Sequence, residues 1–143
     1  LFGLLRSRAV STADGSVRMV LNVAYVGARP SAADTPWQHI ALASRDIMET
    51  AGRLRSAGMA PLPIPDNYYD DLEARHDLGP ERHQVLRKNG LLYDRDDHGE
   101  FLHFYTAIVG RVFFEIIQRI GGYQGYGAVN TPIRLGVQHS PVP

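Results

Sequence analysis

A histidine and a glutamate each stand inside an otherwise apolar, strand-like run: His39 in Trp-Gln-His-Ile-Ala-Leu and Glu115 in Val-Phe-Phe-Glu-Ile-Ile-Gln-Arg. A buried carboxylate is costly unless a cation or hydrogen-bond donors meet it. The pair suggests two legs of a metal site of the two-histidine, one-carboxylate type, of which this chain holds a part. Strand alternation puts Trp37, His39 and Ala41 on one face. It does the same for Phe113, Glu115 and Ile117, and for Phe101, His103 and Tyr105. Centring the last hairpin near Val109 sets His103 opposite Glu115 with Cβ atoms roughly 5 Å apart, and a slip of one residue would send the two to opposite faces. Plainer roles compete. A single core histidine is more often a hydrogen-bonded structural residue than a ligand. An edge strand or an ion pair with Arg111 could accommodate Glu115, and His103 could simply cap it by hydrogen bonding. His76, His83, His98 and His139 lie in polar or turn-like stretches and read as solvent-exposed.

The elements that must position these side chains are legible from period and punctuation. Residues 4–11 and 17–24 are β-rich runs around Asp14-Gly15, a dipeptide that favours a tight hairpin. Gly27, Pro30, Ser31, Asp34 and Pro36 mark residues 26–36 as loop. Residues 37–43 read as a strand. Asp46 with Glu49 three later predicts a helix start, and Ile47, Met48, Ala51 and Leu54 give its apolar stripe up to Gly58. After an extended segment carrying Pro61, Pro63 and Pro65, short surface helices are expected over 67–76 and 80–89, the second opened by Pro80. Three strands follow at about 90–95, 99–106 and 111–119. The glycine-rich run from Gly121 to Gly127 reads as a mobile flap rather than a phosphate loop, because Pro132 and the lack of a following helix argue against the latter. The order from residue 37 is βαβββ, an α+β architecture. Residues 1–25 read as the last strands of a preceding module of the same kind, 26–36 as a linker and 131–143 as an extended tail, the units curving into a half-open barrel.

The bulk composition narrows the function classes. With 143 residues and 44% hydrophobic content, the chain suffices for one globular core. Fifteen basic and fifteen acidic residues cancel, so no broad field argues for nucleic acid or an anionic membrane. Cysteine is absent, leaving His, Asp, Glu and water to hold any metal. The apolar runs are too short to span a bilayer and no leader opens the chain, so a cytoplasmic location is expected. The start at Leu-Phe-Gly-Leu-Leu, without methionine, reads as part of a longer polypeptide, and self-association is compatible with the sequence.

Several stretches then carry a resemblance: Gln38-His39-Ile40-Ala41-Leu42, Pro63-Ile64-Pro65-Asp66-Asn67-Tyr68-Tyr69-Asp70, Leu92-Tyr93-Asp94-Arg95-Asp96 and Phe113-Phe114-Glu115-Ile116-Ile117-Gln118-Arg119, followed by Gly125-Tyr126-Gly127. In this order they resemble the C-terminal domain of 4-hydroxyphenylpyruvate dioxygenase. That family has the vicinal-oxygen-chelate fold, in which paired βαβββ modules surround a divalent metal. The resemblance implies that His39 and Glu115 bind Fe(II) or another divalent ion (Mg, Mn or Co), with the remaining histidine on a preceding module upstream of Leu1. It implies a small 2-oxo acid or aromatic substrate with O2, and substrate contacts from Ser7, Asn22, Phe113 and Tyr126. Departures are equally informative. His103 replaces an active-site glutamine, which makes it the candidate catalytic residue and a side chain that could ligate. Thr131 stands where the family has an aromatic residue, and Asn130-Thr131-Pro132-Ile133-Arg134-Leu135 replaces the closing C-terminal helix, leaving a more open pocket. These features are most similar to a dioxygenase-like domain fused to a 3-dehydroshikimate dehydratase barrel in bacteria. Two functions follow, a metal-dependent 2-oxo acid dioxygenase domain or a metal-binding domain with a structural or regulatory role in such a fusion. A buried Glu115–His103 hydrogen-bonded pair without metal is the third reading.

Overall fold

The computed structural model describes residues 5–24, 38–59, 61–110 and 112–138. The loop expected over 26–36 and the residues Trp37, Arg111 and His139 lie outside them. Two units divide the chain, Leu1–Pro36 and Trp37–Pro143. In the first, strands β1 (Leu5–Ser11) and β2 (Arg18–Ala24) form an antiparallel hairpin in which Ser7 pairs with Asn22. Its turn is held by Asp14, whose carboxylate accepts from the Thr12 hydroxyl and from the Ser16 backbone and hydroxyl. Gly15 supplies the left-handed residue that the turn requires, at φ 70°.

The second unit has the predicted βαβββ order. Strand β3 (Gln38–Ala43) leads into α1 (Ile47–Ser56), then α2 (Asp66–Arg75) and α3 (Pro80–Asn89), and finally β4 (Leu92–Arg95), β5 (Gly99–Tyr105) and β6 (Val112–Gly121). The sheet order is β3-β6-β5-β4, with β3 parallel to β6 and the other pairs antiparallel. The sheet is open and does not close into a barrel. Asp46 caps α1 by accepting from the Glu49 backbone N–H at 2.9 Å, while the Glu49 side chain turns to Arg53 instead of completing a reciprocal box. Gln118 of β6 fastens the same corner, accepting from the Ile47 N–H and donating to the Arg45 carbonyl. Pro80 opens α3 and Gly90, left-handed at φ 65°, ends it.

Both middle helices are less superficial than their polarity suggests. Tyr68, Tyr69 and Leu72 of α2 and His83 and Leu86 of α3 are buried. They join Ile47, Ala51, Tyr93, Leu102, Phe104 and Ile116 in the main core. His83 is therefore not the exposed residue expected. One ring nitrogen lies 2.7 Å from the Tyr69 carbonyl, and that bond allows an imidazole to sit inside. Burial raises the Tyr68 hydroxyl to about 12, opposed by its bond to the Tyr93 carbonyl.

The C-terminal segment also departs from expectation. Residues Ala128–Asn130 form a 3-10 turn and Thr131–Gln138 an α-helix, α4, in place of the extended tail. Pro132 lies in the first turn of this helix, where proline is tolerated because the missing N–H would have no partner. Ile133 packs against the main core, which supplies the tertiary anchor that a short helix needs.

Two measurements check this packing. A Cβ on Gly99 would come within 2.1 Å of the Ile120 carbonyl oxygen and 2.7 Å of the Tyr123 nitrogen, whereas Gly52, inside α1, has open space. In urea unfolding, Gly99→Ala should lose at least about 1–3 kcal/mol and Gly52→Ala should gain up to about 1 kcal/mol. Arg82 donates to both Glu100 oxygens and the Tyr93 hydroxyl donates to one. The arginine bond holds the Glu100 carboxyl below its ordinary value, and burial with the Glu100 bond pushes Tyr93 up to about 12. Stability from the first is present above the unfolded glutamate value and declines as pH falls through the lowered one. Stability from the second is complete below the unfolded tyrosine value and is lost as pH rises toward 12. Glu100→Gln should flatten the acid limb of a stability–pH profile at this pair.

Candidate metal centre

One face of the sheet gathers the chemistry. Glu115 pairs with Tyr105 on β5 and Ala41 on β3, while His39 pairs with Phe113. The register therefore sets Tyr105, not His103, directly opposite Glu115, and His103 opposite Ile117. The shift is two residues, because the hairpin closes at Val109–Val112 beyond the end of the regular ladder. An even shift preserves the face, so His103 still reaches Glu115 along the diagonal.

The result is a chain of polar contacts. His39 Nε2 lies 3.2 Å from Glu115 Oε2, and His103 Nδ1 lies 2.7 Å from Glu115 Oε1. His103 Nε2 lies 2.9 Å from the Asn130 side-chain nitrogen, which also donates to the Tyr93 carbonyl at 3.0 Å. Glu115 is only 5% exposed, and His103 and Asn130 are fully buried. The His39 side chain is 36% exposed. Burial pushes the Glu115 carboxyl up, but hydrogen bonds from His103 and His39 outweigh it and hold the carboxyl well below the ordinary range. The acid is thus kept as a carboxylate.

Aromatic rings enclose this row. His39 stacks on Phe113 at 5.2 Å, and His103 lies between Phe101 at 4.7 Å and Tyr105 at 5.3 Å. Arg134 of α4 sits over the rings of Phe113 and Tyr105. Burial raises the Tyr105 hydroxyl far above its usual range, helped by the Glu115 carboxylate and opposed by Arg134. The helix α4 thus brings a cation to a face expected to lie more open.

Of the expected substrate contacts, Phe113 is fully buried beneath these neighbours and Tyr126 is exposed. Ser7 and Asn22 are paired in the hairpin of the other unit. The glycine-rich run, expected as a mobile flap, is pinned at Tyr123. That buried ring stacks on Phe101 at 5.1 Å, and its hydroxyl donates to Asp94 and accepts from the Gly127 N–H. Arg119 donates to the Gly125 carbonyl. Sequence reading missed Tyr123 and Asn130. For Tyr123 the signal was one of two tyrosines amid the glycines of 121–127, and for Asn130 none existed, because its role depends on a turn bringing it to His103.

The donors fit a divalent cation in part. An imidazole nitrogen and a carboxylate oxygen converge, both of ligand type for iron, manganese or cobalt. Among the described residues, no group of three His, Asp or Glu side chains is arranged to hold a metal. His103 has both ring nitrogens engaged, so it does not complete a set. No helix among the described residues is long and apolar enough to cross a membrane.

The described residues of the second unit form a mixed α/β arrangement with an open four-stranded sheet. No protein-family model matches the chain. It is 44% identical over 142 residues to a 3-dehydroshikimate dehydratase of Pseudomonas aeruginosa, an alignment covering 94% of this chain and 22% of that protein. It is 35% identical over 150 residues to a 4-hydroxyphenylpyruvate dioxygenase of Tetrahymena thermophila, covering 90% of this chain and 36% of the relative. A solved xylose isomerase-like TIM barrel/4-hydroxyphenylpyruvate dioxygenase fusion protein superposes with a TM-score of 0.80 at 41% identity, over 92% of this chain and 22% of that one. The chain is thus similar to the 4-hydroxyphenylpyruvate dioxygenase-like domain matched in dehydratases, in dioxygenases and in the barrel fusion. It spans 22% of the length of the dehydratases it matches.

Replacing Tyr123 by phenylalanine should leave the Asp94 carboxylate and the Gly127 N–H short of a partner. The expected cost is about 1–3 kcal/mol, with faster amide hydrogen exchange at Gly127 than in the parent protein. Unchanged exchange there would mean that the hydroxyl does not hold the segment.

Proposed function

We propose that this chain supplies two ligands, His39 and Glu115, to a divalent-metal site of a 2-oxo acid dioxygenase domain, with Fe(II) the leading metal and Mg, Mn or Co as alternatives. The observation that carries the reading is a buried carboxylate oxygen lying 3.2 Å from a nitrogen of a partly exposed imidazole that stacks on Phe113. A third ligand comes from outside the described residues. When bound, the metal would anchor the substrate's oxygen atoms and, as iron, activate dioxygen.

The chain's own residues have distinct tasks in this proposal. His39 and Glu115 hold the ion, Phe113 and Tyr105 limit water around them, and His103 acts through Glu115 rather than on substrate. Ser7, Asn22 and Tyr126 are the substrate contacts that the resemblance suggests, together with Phe113. The substrate is a small 2-oxo acid or an aromatic compound, consumed with O2 by a longer polypeptide.

A second reading has a specific observation in its favour. The 44% identity to a protein named as a dehydratase exceeds the 35% to a dioxygenase. On that reading the domain binds metal within a dehydratase fusion and has a structural or regulatory role. Reconstitution of the intact polypeptide separates the possibilities. Both metal readings expect stoichiometric Mn(II) or Fe(II) uptake that weakens in His39→Ala and Glu115→Gln by more than the about 10–100-fold typical of losing a partner behind a ligand. Oxygen consumption by the iron-loaded protein with 4-hydroxyphenylpyruvate supports the dioxygenase for that substrate. Metal uptake without consumption of O2 with any 2-oxo acid favours the second reading. No uptake in the parent protein sinks both and leaves Glu115 as a hydrogen-bonded structural group.

A further inference from the structure

We infer that His103 and Asn130 form a positioning couple that fixes the proton of the His103 ring on Nδ1 and thereby locks Glu115 Oε1, leaving Oε2 as the oxygen offered to a cation. The inference rests on the proposed metal role of Glu115 for its purpose, but its geometry stands without the metal.

Asn130 determines the direction of the whole row. Its side-chain nitrogen lies 3.0 Å from the Tyr93 carbonyl, a group that can only accept, so that side of the amide must be NH2. The same nitrogen then presents its second hydrogen to His103 Nε2 at 2.9 Å. Nε2 must accept, and the ring proton therefore sits on Nδ1, donating to Glu115 Oε1 at 2.7 Å. Reversing the amide would put two acceptors together at Tyr93. The Asn130 Oδ1 atom is buried with no hydrogen-bond partner among the described residues. Leaving a buried acceptor unmet is costly, so this amide is oriented for its two N–H groups at the expense of its oxygen.

The ring has no room to turn away. Phe101 lies 4.7 Å from it and Tyr105 5.3 Å. Gly127 closes the remaining side. A Cβ there would come within 2.8 Å of Phe101 and 3.1 Å of His103 Nε2, and φ is +59°. An imidazole with both nitrogens assigned and three sides filled is a rigid donor, and rigid donors behind a ligand set its orientation and basicity. His103 accordingly acts as a positioning residue, not as a third ligand.

The test has two independent readouts on the intact polypeptide. In metal-free protein with 15N-labelled histidine, His103 is assigned by its disappearance in His103→Asn, and its nitrogens should show a protonated Nδ1 and an unprotonated Nε2. Asn130→Leu, which removes the donor to Nε2, should abolish the preference for the Nδ1 tautomer. For Mn(II) affinity, His103→Leu should lose about 10–100-fold. His103→Asn, whose amide can supply the Nδ1 donor again, should recover most of that loss. A parent proton on Nε2, or equal affinity in the leucine and asparagine variants, overturns the couple while leaving the metal reading intact. Absence of Mn(II) binding in the parent overturns the metal reading, and with it the couple's purpose, whatever the tautomer.

Discussion

The burial of one negative charge constrains the rest of this module. Glu115 lies on the strand that pairs with both β3 and β5, at the place where solvent is excluded on almost every side. An unpaired carboxylate there would be untenable, so neighbouring strands must bring donors to it. The parallel pairing of β3 with β6 delivers His39, and the antiparallel hairpin delivers His103 and Tyr105. Phe101, Phe113 and Tyr123 then fill the space between the polar groups. The apolar enclosure strengthens each hydrogen bond, and the hydrogen bonds make the enclosure tolerable.

The second tier depends on the C-terminal turn. Asn130 and Gly127 reach His103 only because the chain is brought back from the end of β6. That return is fastened at Tyr123, between Phe101 and Asp94. A segment rich in glycine is thereby made specific: the glycines allow the close approaches and a single buried tyrosine supplies the attachment. Arg134 on the following helix completes the arrangement with a positive charge over the aromatic wall. An anionic molecule near His39 would meet that field as well as any metal.

How much of this was readable without coordinates varies with the physics involved. Asp46, Pro80 and Asp14-Gly15 act through local backbone chemistry, and the elements they bound lie where their residue types imply. The sheet faces follow from strict alternation, which is why His103 and Glu115 share a face despite a two-residue error in register. That error arose in the turn, where residues 107–111 leave more than one way to close the ladder. The helix over Thr131–Gln138 was hidden because Pro132 is a helix breaker in most positions and harmless in the first turn. His83 was read as exposed because burial is a tertiary property, decided by the Tyr69 carbonyl on another helix. Asn130 had no local signal at all. Its importance exists only where the 3-10 turn meets β4 and β5.

The parallel pairing of β3 with β6 also has a consequence in time. The two strands that carry His39 and Glu115 are adjacent in space but separated by three helices and two strands in the chain. Such non-local pairing is slow, because loop closure precedes the reward. During synthesis His39 emerges long before its partner, and Asn130 emerges later still. The row therefore requires both a long-range strand pairing and a turn that follows the second of those strands in the chain.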